Sequence, residues 1–176
     1  MRWNLPERDT RFRQLALQRQ AILTKPTGAL SVLEDIAVWL ADIQQSATPQ
    51  AQPAAAIVFA SDHPVGRLGV GAYPREVTPM MVVNLASGGA AASVLSLLNR
   101  IPLHVVDVGA EPYPAPNTAK GIHWERVDVG GQVGDLIETD AMDTIALEGA
   151  LQAGSKAVDK LDANTKVVIF GEMGIG

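Results

Sequence analysis

Three short segments carry the residue types that chemistry needs. Ser61-Asp62-His63-Pro64, Asp107-Val108-Gly109-Ala110-Glu111 and Gly171-Glu172-Met173-Gly174-Ile175-Gly176 each end a brief apolar run. Asp62 and His63 together suit proton transfer or the orientation of a polar substrate. The other role open to an Asp at a strand end is to satisfy loop amides. Glycines at 171, 174 and 176 free the backbone to approach a ligand, and amides in such a loop cradle a phosphate, although a plain tight turn has the same composition. Glu172 argues against a pure phosphate site, because a carboxylate beside an anion is unfavourable. A ribose hydroxyl or a cationic part of a ligand suits it better.

Other candidates are weaker. Tyr73-Pro74 offers a flat ring to an aromatic ligand, or else anchors its loop by packing. His104 lies in an apolar run and reads as a hydrogen-bonded core histidine, and Met80-Met81 as core filler. There is no cysteine, and the three histidines (His63, His104, His123) are too far apart for a local metal spacing. No metal and no cofactor is expected.

These segments need a scaffold. Asp9 or Thr10 caps a helix that runs to about Leu23 and is stopped by Lys25-Pro26-Thr27-Gly28. In a second helix, Leu30, Leu33, Ile36, Ala37, Leu40 and Ile43 form a stripe that calls for an apolar partner surface. The stretch 46–53, with two prolines and no apolar period, reads as a linker. Beyond it, Ala54–Ala60, Leu103–Val108 and Lys166–Phe170 read as strands buried on both faces, with Ile122–Val129 a weaker fourth. Thr78-Pro79 opens a helix with a cap and a first-turn proline. Met80–Asn99 is helical apart from Gly88-Gly89, and Asp140–Leu161 is a further helix. Alternating strands and helices predict an α/β layered fold with a parallel sheet, and ligands of such sheets bind beyond the strands' carboxyl ends.

With 176 residues, 47% hydrophobic and 19% charged, the chain suits one soluble globular unit. Its longest purely apolar run, Ala54–Ala60, is far short of a membrane span, and no secretory h-region is present, so a cytoplasmic protein without membrane partners is expected. A net charge of -5 argues against a nucleic-acid partner. The charge is uneven: residues 1–25 hold Arg2, Arg8, Arg11, Arg13, Arg19 and Lys25 against Glu7 and Asp9. That run reads as a solvated face, or alternatively as a docking face.

Taken in order, these segments resemble the nicotinate-nucleotide:dimethylbenzimidazole phosphoribosyltransferases of cobalamin biosynthesis. The resemblance rests on Lys25-Pro26-Thr27-Gly28-Ala29-Leu30, Ile57-Val58-Phe59-Ala60-Ser61-Asp62-His63 and Ala72-Tyr73-Pro74 with Val77-Thr78, Met81 and Gly88-Gly89-Ala90-Ala91. Val106-Asp107-Val108-Gly109, Ala141-Met142 and the hexapeptide 171–176 complete it. It implies a Rossmann-like α/β domain over 54–176, with helices on both faces of a parallel sheet, preceded by a helical hairpin over 1–46 that belongs to a small helical domain. It also implies transfer of phosphoribosyl from nicotinate mononucleotide to 5,6-dimethylbenzimidazole or a related base, giving α-ribazole phosphate, usually by a homodimer and without a metal. By the same resemblance, Glu172, Met173, Gly174, Ile175 and Gly176 hold ribose and phosphate. Asp62, His63, Gly71, Tyr73, Pro79 and Met80 line the base pocket.

The sequence departs from the family pattern at Pro64, Gly71 and Pro79, where Gly, Ser and Gln are usual, and residues 121–139 match poorly. A pocket with fewer hydrogen-bond partners discriminates by shape. Family members are about twice as long and place their proposed catalytic base well beyond the glycine loop. On this reading the chain is the N-terminal half of the enzyme, truncated at the C-terminal end of its α/β domain, and holds no catalytic base of its own. It is then inactive alone and works as a homo-oligomer or with a chain that supplies the missing half. The second reading is a non-catalytic base-binding or partner module.

Overall fold

A computed structural model describes residues 7–176. Arg2 of the basic run, and the start of the expected hairpin, lie outside the described residues. The chain divides between Ala51 and Gln52, inside the proline-containing stretch, into two compact units.

The first unit holds helices α1 (Arg11–Ile22) and α2 (Val32–Gln44). Thr10 occupies the α1 N-cap position without a side-chain cap bond, and Asp9 accepts from the Arg11 amide at 2.9 Å instead. Polar contacts tie the helices: Arg8 meets Asp42 at 3.1 Å, and the Asp9 amide donates to Gln45 Oε1 at 2.7 Å. Lys25 meets Glu34 at 2.8 Å, and its hydrogen bond holds the Glu34 carboxyl below its ordinary range. The α2 stripe is corrected. Leu30, Leu33, Ile36 and Ile43 are exposed, and Val38 and Ala41 are the buried pair. A two-helix unit covers only one side of each helix, and here the covered side carries the smaller residues. The basic residues of α1 lie on a helix that buries no residue, as a solvated face requires.

The second unit is a four-stranded parallel sheet in the order β3-β2-β1-β4, with β1 Ala54–Ser61, β2 Leu103–Gly109, β3 Ile122–Arg126 and β4 Val167–Met173. Strand periodicity divides its core between two faces. Ala56, Val58, Leu103, Val105 and Ile122 pack with Val82 and Leu85 of α3 (Val77–Ser87) and with Ala90, which precedes α4 (Ala91–Leu98). Ile57 and Val106 point the other way, onto Ala157 of α5 (Thr144–Asp159). Helices therefore cover both faces of a doubly wound α/β sheet.

Element ends differ from the sequence expectation for identifiable reasons. The stretch Val77–Leu98 has the length and apolarity of a membrane span. Gly88, at φ 92°, stops α3 with its amide on the Asn84 and Leu85 carbonyls, so two short helices form there and pack on the sheet. Strand β3 stops at Arg126 because Asp128 turns the chain onto the Gly130 amide at 2.8 Å. Helix α5 starts at Thr144 rather than Asp140, because Asp143 caps Ala146 at 2.8 Å and also holds the Gln132 amide at 3.0 Å. Strand β4 continues past Phe170, since its pairing with β1 runs on to Ala60 opposite Met173, so Gly171, Glu172 and Met173 are strand rather than loop.

Leu103 is fully buried, whereas Leu98 is 76% exposed. Urea unfolding of Leu103→Ala is expected to show a loss of about 2–5 kcal/mol. Leu98→Ala should stay within about 0.5 kcal/mol of the parent. Equal losses in the two variants would refute this assignment of the core.

Candidate functional site

In a 3-2-1-4 sheet the chain crosses from one side of β1 to the other between β3 and β4, so the carboxyl ends of β1 and β4 bound the crevice where such folds take ligands. Asp62 follows β1 and Gly174 follows β4. Their loops meet. Asp62 Oδ1, in a residue 4% exposed, accepts from Thr78 Oγ1 at 2.6 Å and from the Ile175 amide at 3.0 Å. One carboxylate oxygen thus joins β1, the first turn of α3 and the loop after β4. Thr78 is therefore no helix cap: Glu76 holds the N-cap position, and the buried Thr78 hydroxyl serves Asp62.

The loop glycines are required by this closeness. A Cβ on Gly174 would collide with the Ser61 carbonyl oxygen, and one on Gly176, at φ 121°, would lie 2.8 Å from the His63 carbonyl oxygen. Close approach to the end of β1 thus fixes both positions, whatever a ligand adds. Ile175 is buried, and its carbonyl accepts from the His63 amide at 3.4 Å. Glu172 is exposed and reaches back toward Gly174: its Oε1 lies 2.9 Å from where a Cβ there would stand.

Several polar atoms at the crevice are buried without a hydrogen-bond partner: Asp62 Oδ2, His63 Nδ1 and the Nε and Nη1 of Arg75. Arg75 is only 10% exposed in its side chain and pairs through Nη2 with Glu111 at 3.0 Å, and Glu111 also meets Arg67 at 3.6 Å. Asp62, His63 and Arg75 line a cavity of about 180 Å3 whose other walls include Val108, Val133 and Met142. A larger cavity of about 590 Å3 shares Arg75 and is lined by Pro79, Glu111 and Gly66.

The sequence-derived candidates are partly assembled by the fold. Asp62, His63, Ile175 and Gly176 are in mutual contact, Pro79 lines the larger cavity, and a Cβ on Gly71 would lie 3.1 Å from the Ile175 side chain. Met173 packs against the α3 face of the core. Tyr73 and Met80 are 68% and 60% exposed and line neither cavity. Met80 is thus not core filler, while its neighbour Met81 packs on the core. Sequence reasoning misses Arg75 and Thr78 as site residues. Arg75 has no sequence signal beyond its position after the Tyr73-Pro74 turn, and Thr78 is read there as a helix cap and as part of the resemblance.

Two further expectations are corrected. Asp107 does not face the crevice: it is fully buried, and its oxygens accept from the Gly109 and Ala110 amides at 3.1 and 2.8 Å, Tyr113 Oη at 2.7 Å and Arg126 Nε at 2.8 Å. Trp124 Nε1 donates to Tyr113 Oη at 3.0 Å, and the Arg126 guanidinium lies 4.1 Å from the centre of the Tyr113 ring. Asp107 is therefore the anchor of the β2–β3 end. His104 is no hydrogen-bonded core residue. It is half-buried, stacks on His123 with ring centres 5.0 Å apart, and lines a groove with Glu125 and Lys160, which pair with each other. Partial burial, then the charge of His123, lowers its pKa.

A similar architecture and a related sequence recur in known proteins. A family model described as phosphoribosyltransferase matches residues 5–176. The nicotinate-nucleotide–dimethylbenzimidazole phosphoribosyltransferase of Bradyrhizobium sp. (strain BTAi1) is 42% identical over 165 residues, which is 93% of this chain and 46% of that protein. The protein of the same name from Mycolicibacterium paratuberculosis is 42% identical over 163 residues, 92% of this chain and 45% of its own length. The crystal structure of the Thermus thermophilus protein of that name superposes with a TM-score of 0.79 at 36% identity, covering 96% of this chain and 50% of that one. The chain spans about half the length of the curated relatives it matches.

Replacing Thr78 by Val removes one donor to a buried carboxylate oxygen and should cost about 1–3 kcal/mol in urea unfolding, with Thr78→Ser recovering most of it. Hydrogen exchange at the Ile175 amide should quicken in Thr78→Val and more so in Asp62→Ala; unchanged protection in both would refute the clamp. Burial, then the hydrogen bond to Asp107, pushes the Tyr113 pKa up from 10.0 to about 12. The unfolded chain gives up that proton first, so the stability linked to Tyr113 is intact below pH 10 and is lost as pH rises through about 12. Tyrosinate absorbance should show one of the two tyrosines ionising only at about pH 12, a step absent from Tyr113→Phe.

Proposed function

We infer the function from the family to which the chain belongs, the phosphoribosyltransferases. The proposed reaction moves the phosphoribosyl group of nicotinate mononucleotide onto a ring nitrogen of 5,6-dimethylbenzimidazole or a related base, releasing nicotinate and giving α-ribazole phosphate for the lower ligand of cobalamin. The observation that carries this reading is the Asp62 clamp. It binds the end of β1 to the loop after β4 at the switch point of the sheet and leaves Asp62 Oδ2 without a partner beside the crevice.

The chemistry suits such a place. Nicotinate leaves from a cationic pyridinium and so needs no general acid, whereas the attacking base must surrender its ring proton. Positive charge developing on the ribosyl carbon is stabilised by a nearby carboxylate. In this proposal Glu172 faces the ribose, the Gly174–Gly176 backbone takes the phosphate with Met173 ending β4 and Ile175 shaping the loop, and the attacking base enters past Gly71 and Pro79 toward Asp62 and His63. Tyr73 and Met80 flank that entrance from exposed positions. The proton is taken by a carboxylate supplied from outside these residues, through more of the same polypeptide or a partner chain that supplies the missing half, and the active form, a homo-oligomer or a two-chain assembly, works in the cytoplasm.

Calorimetric titration tests this. Nicotinate mononucleotide should bind the chain saturably, and Glu172→Ala should weaken binding at least about tenfold, the loss of one hydrogen bond to a charged group. Chromatography of chain, nucleotide and dimethylbenzimidazole together should show little α-ribazole phosphate until the missing carboxylate is supplied. Binding of the base with no binding of the nucleotide would replace this reading with that of a non-catalytic base-binding module.

A further inference from the structure

Histidines far apart in sequence give no local metal spacing, but strand pairing brings two of them together. In the β2–β3 register His104 stands directly opposite His123, and their ring centres are 5.0 Å apart. Leu103, Val105 and Ile122, their neighbours along the two strands, fill the α3 side of the sheet, so both imidazoles project from the other side. Helix α5 packs on Val106 there and leaves His123 exposed. The two rings line an open groove of about 360 Å3 together with Glu125 and Lys160. Among the described residues neither ring has a hydrogen-bond partner.

Two imidazoles with free nitrogens, side by side on one uncovered face, form a bidentate donor set. Imidazole nitrogen suits zinc, copper and nickel, whereas magnesium and calcium require oxygen donors. The spacing fits such an ion. A Zn–N bond of about 2.0–2.1 Å puts each ring centre about 3.2 Å from the metal, and a tetrahedral angle then separates the two centres by about 5 Å. The local charge also permits it. Lys160, the cation of the groove, is paired with Glu125, whose carboxylate lies two residues beyond His123 on the same face and offsets part of the charge of a dication.

We propose that His104 and His123 form a two-histidine site for a divalent transition-metal ion such as zinc or copper, with solvent filling the remaining positions and Glu125 as counter-charge. Among the described residues no cluster of three or more His, Cys, Asp or Glu is placed to hold an ion, so the protein contributes two ligands and the affinity is modest. The ion pins the short edge strand β3 to β2 on the side that no helix covers. The site lies toward the amino ends of these strands, away from the Asp62 crevice, and does not depend on the function inferred above.

The test is a zinc titration of the whole chain followed by NMR of the histidine rings, with the signals assigned by their loss in His104→Gln and His123→Gln. Both ring signals should move together and saturate at one zinc per chain, and magnesium at the same concentration should move neither. Copper should bind more tightly than zinc. By calorimetry each single variant should lose at least about tenfold in zinc affinity, since even the outer partners of a metal site are worth roughly 10–100-fold. The double variant should lose little more than either single one, because one imidazole alone does not chelate. Lys160→Met, which removes the like charge and frees the Glu125 carboxylate, should tighten binding. Zinc should raise the thermal midpoint of the parent and not of the double variant. A titration that moves one ring only, or moves neither, overturns the proposal, as does a zinc affinity unchanged in both single variants. The ring shifts are read in the parent protein and so decide the matter even where a variant folds poorly.

Discussion

The second unit is organised around one oxygen atom. Asp62 Oδ1 takes a hydrogen bond from Thr78 at the start of α3 and another from the Ile175 amide after β4. Three elements distant in sequence meet there in a buried setting, where leaving a donor unmade is expensive. Once that junction forms, Gly174 and Gly176 must press against the end of β1, a fit that a side chain at either position would block. The loop shape that the proposed phosphate site needs is therefore set by the fold and does not wait for a ligand.

Much of the fold is legible in the sequence because burial on both faces leaves a clear mark. The runs at 54–60, 103–108 and 166–170 are strands at those places, and the Gly88-Gly89 interruption does split the helical region. The ends that differ are set by partners that sequence pattern does not show. Strand β4 extends through Gly171-Glu172-Met173 because β1 offers pairing that far, and α5 begins late because Asp143 serves two loops at once. The apolar stripe of α2 is real as a pattern but is not a buried face, since its unit has too little material to cover it.

The site is less legible than the fold. Asp62, His63 and the glycine loop are visible because strand ends and glycines are visible, yet their mutual contact spans more than a hundred residues. Asp107 looks equally chemical and is structural, because Tyr113, Arg126 and two amides consume both of its oxygens. Arg75 draws no attention and Thr78 is read as a helix cap, because nothing in their neighbours reveals a buried guanidinium or a hydroxyl aimed at a distant carboxylate. Types of residue announce themselves in sequence; the partners that decide between structural and functional roles do not.

The proposed ligand site is the crevice at the switch point of the sheet, with the glycine loop on one side and Asp62, His63 and Arg75 on the other. A crystal structure of the chain grown with saturating nicotinate mononucleotide tests that claim most directly. The phosphate is expected against the Gly174–Gly176 backbone and the ribose beside Glu172. A nucleotide bound elsewhere, for example in the His104–His123 groove, with this crevice empty, would contradict it.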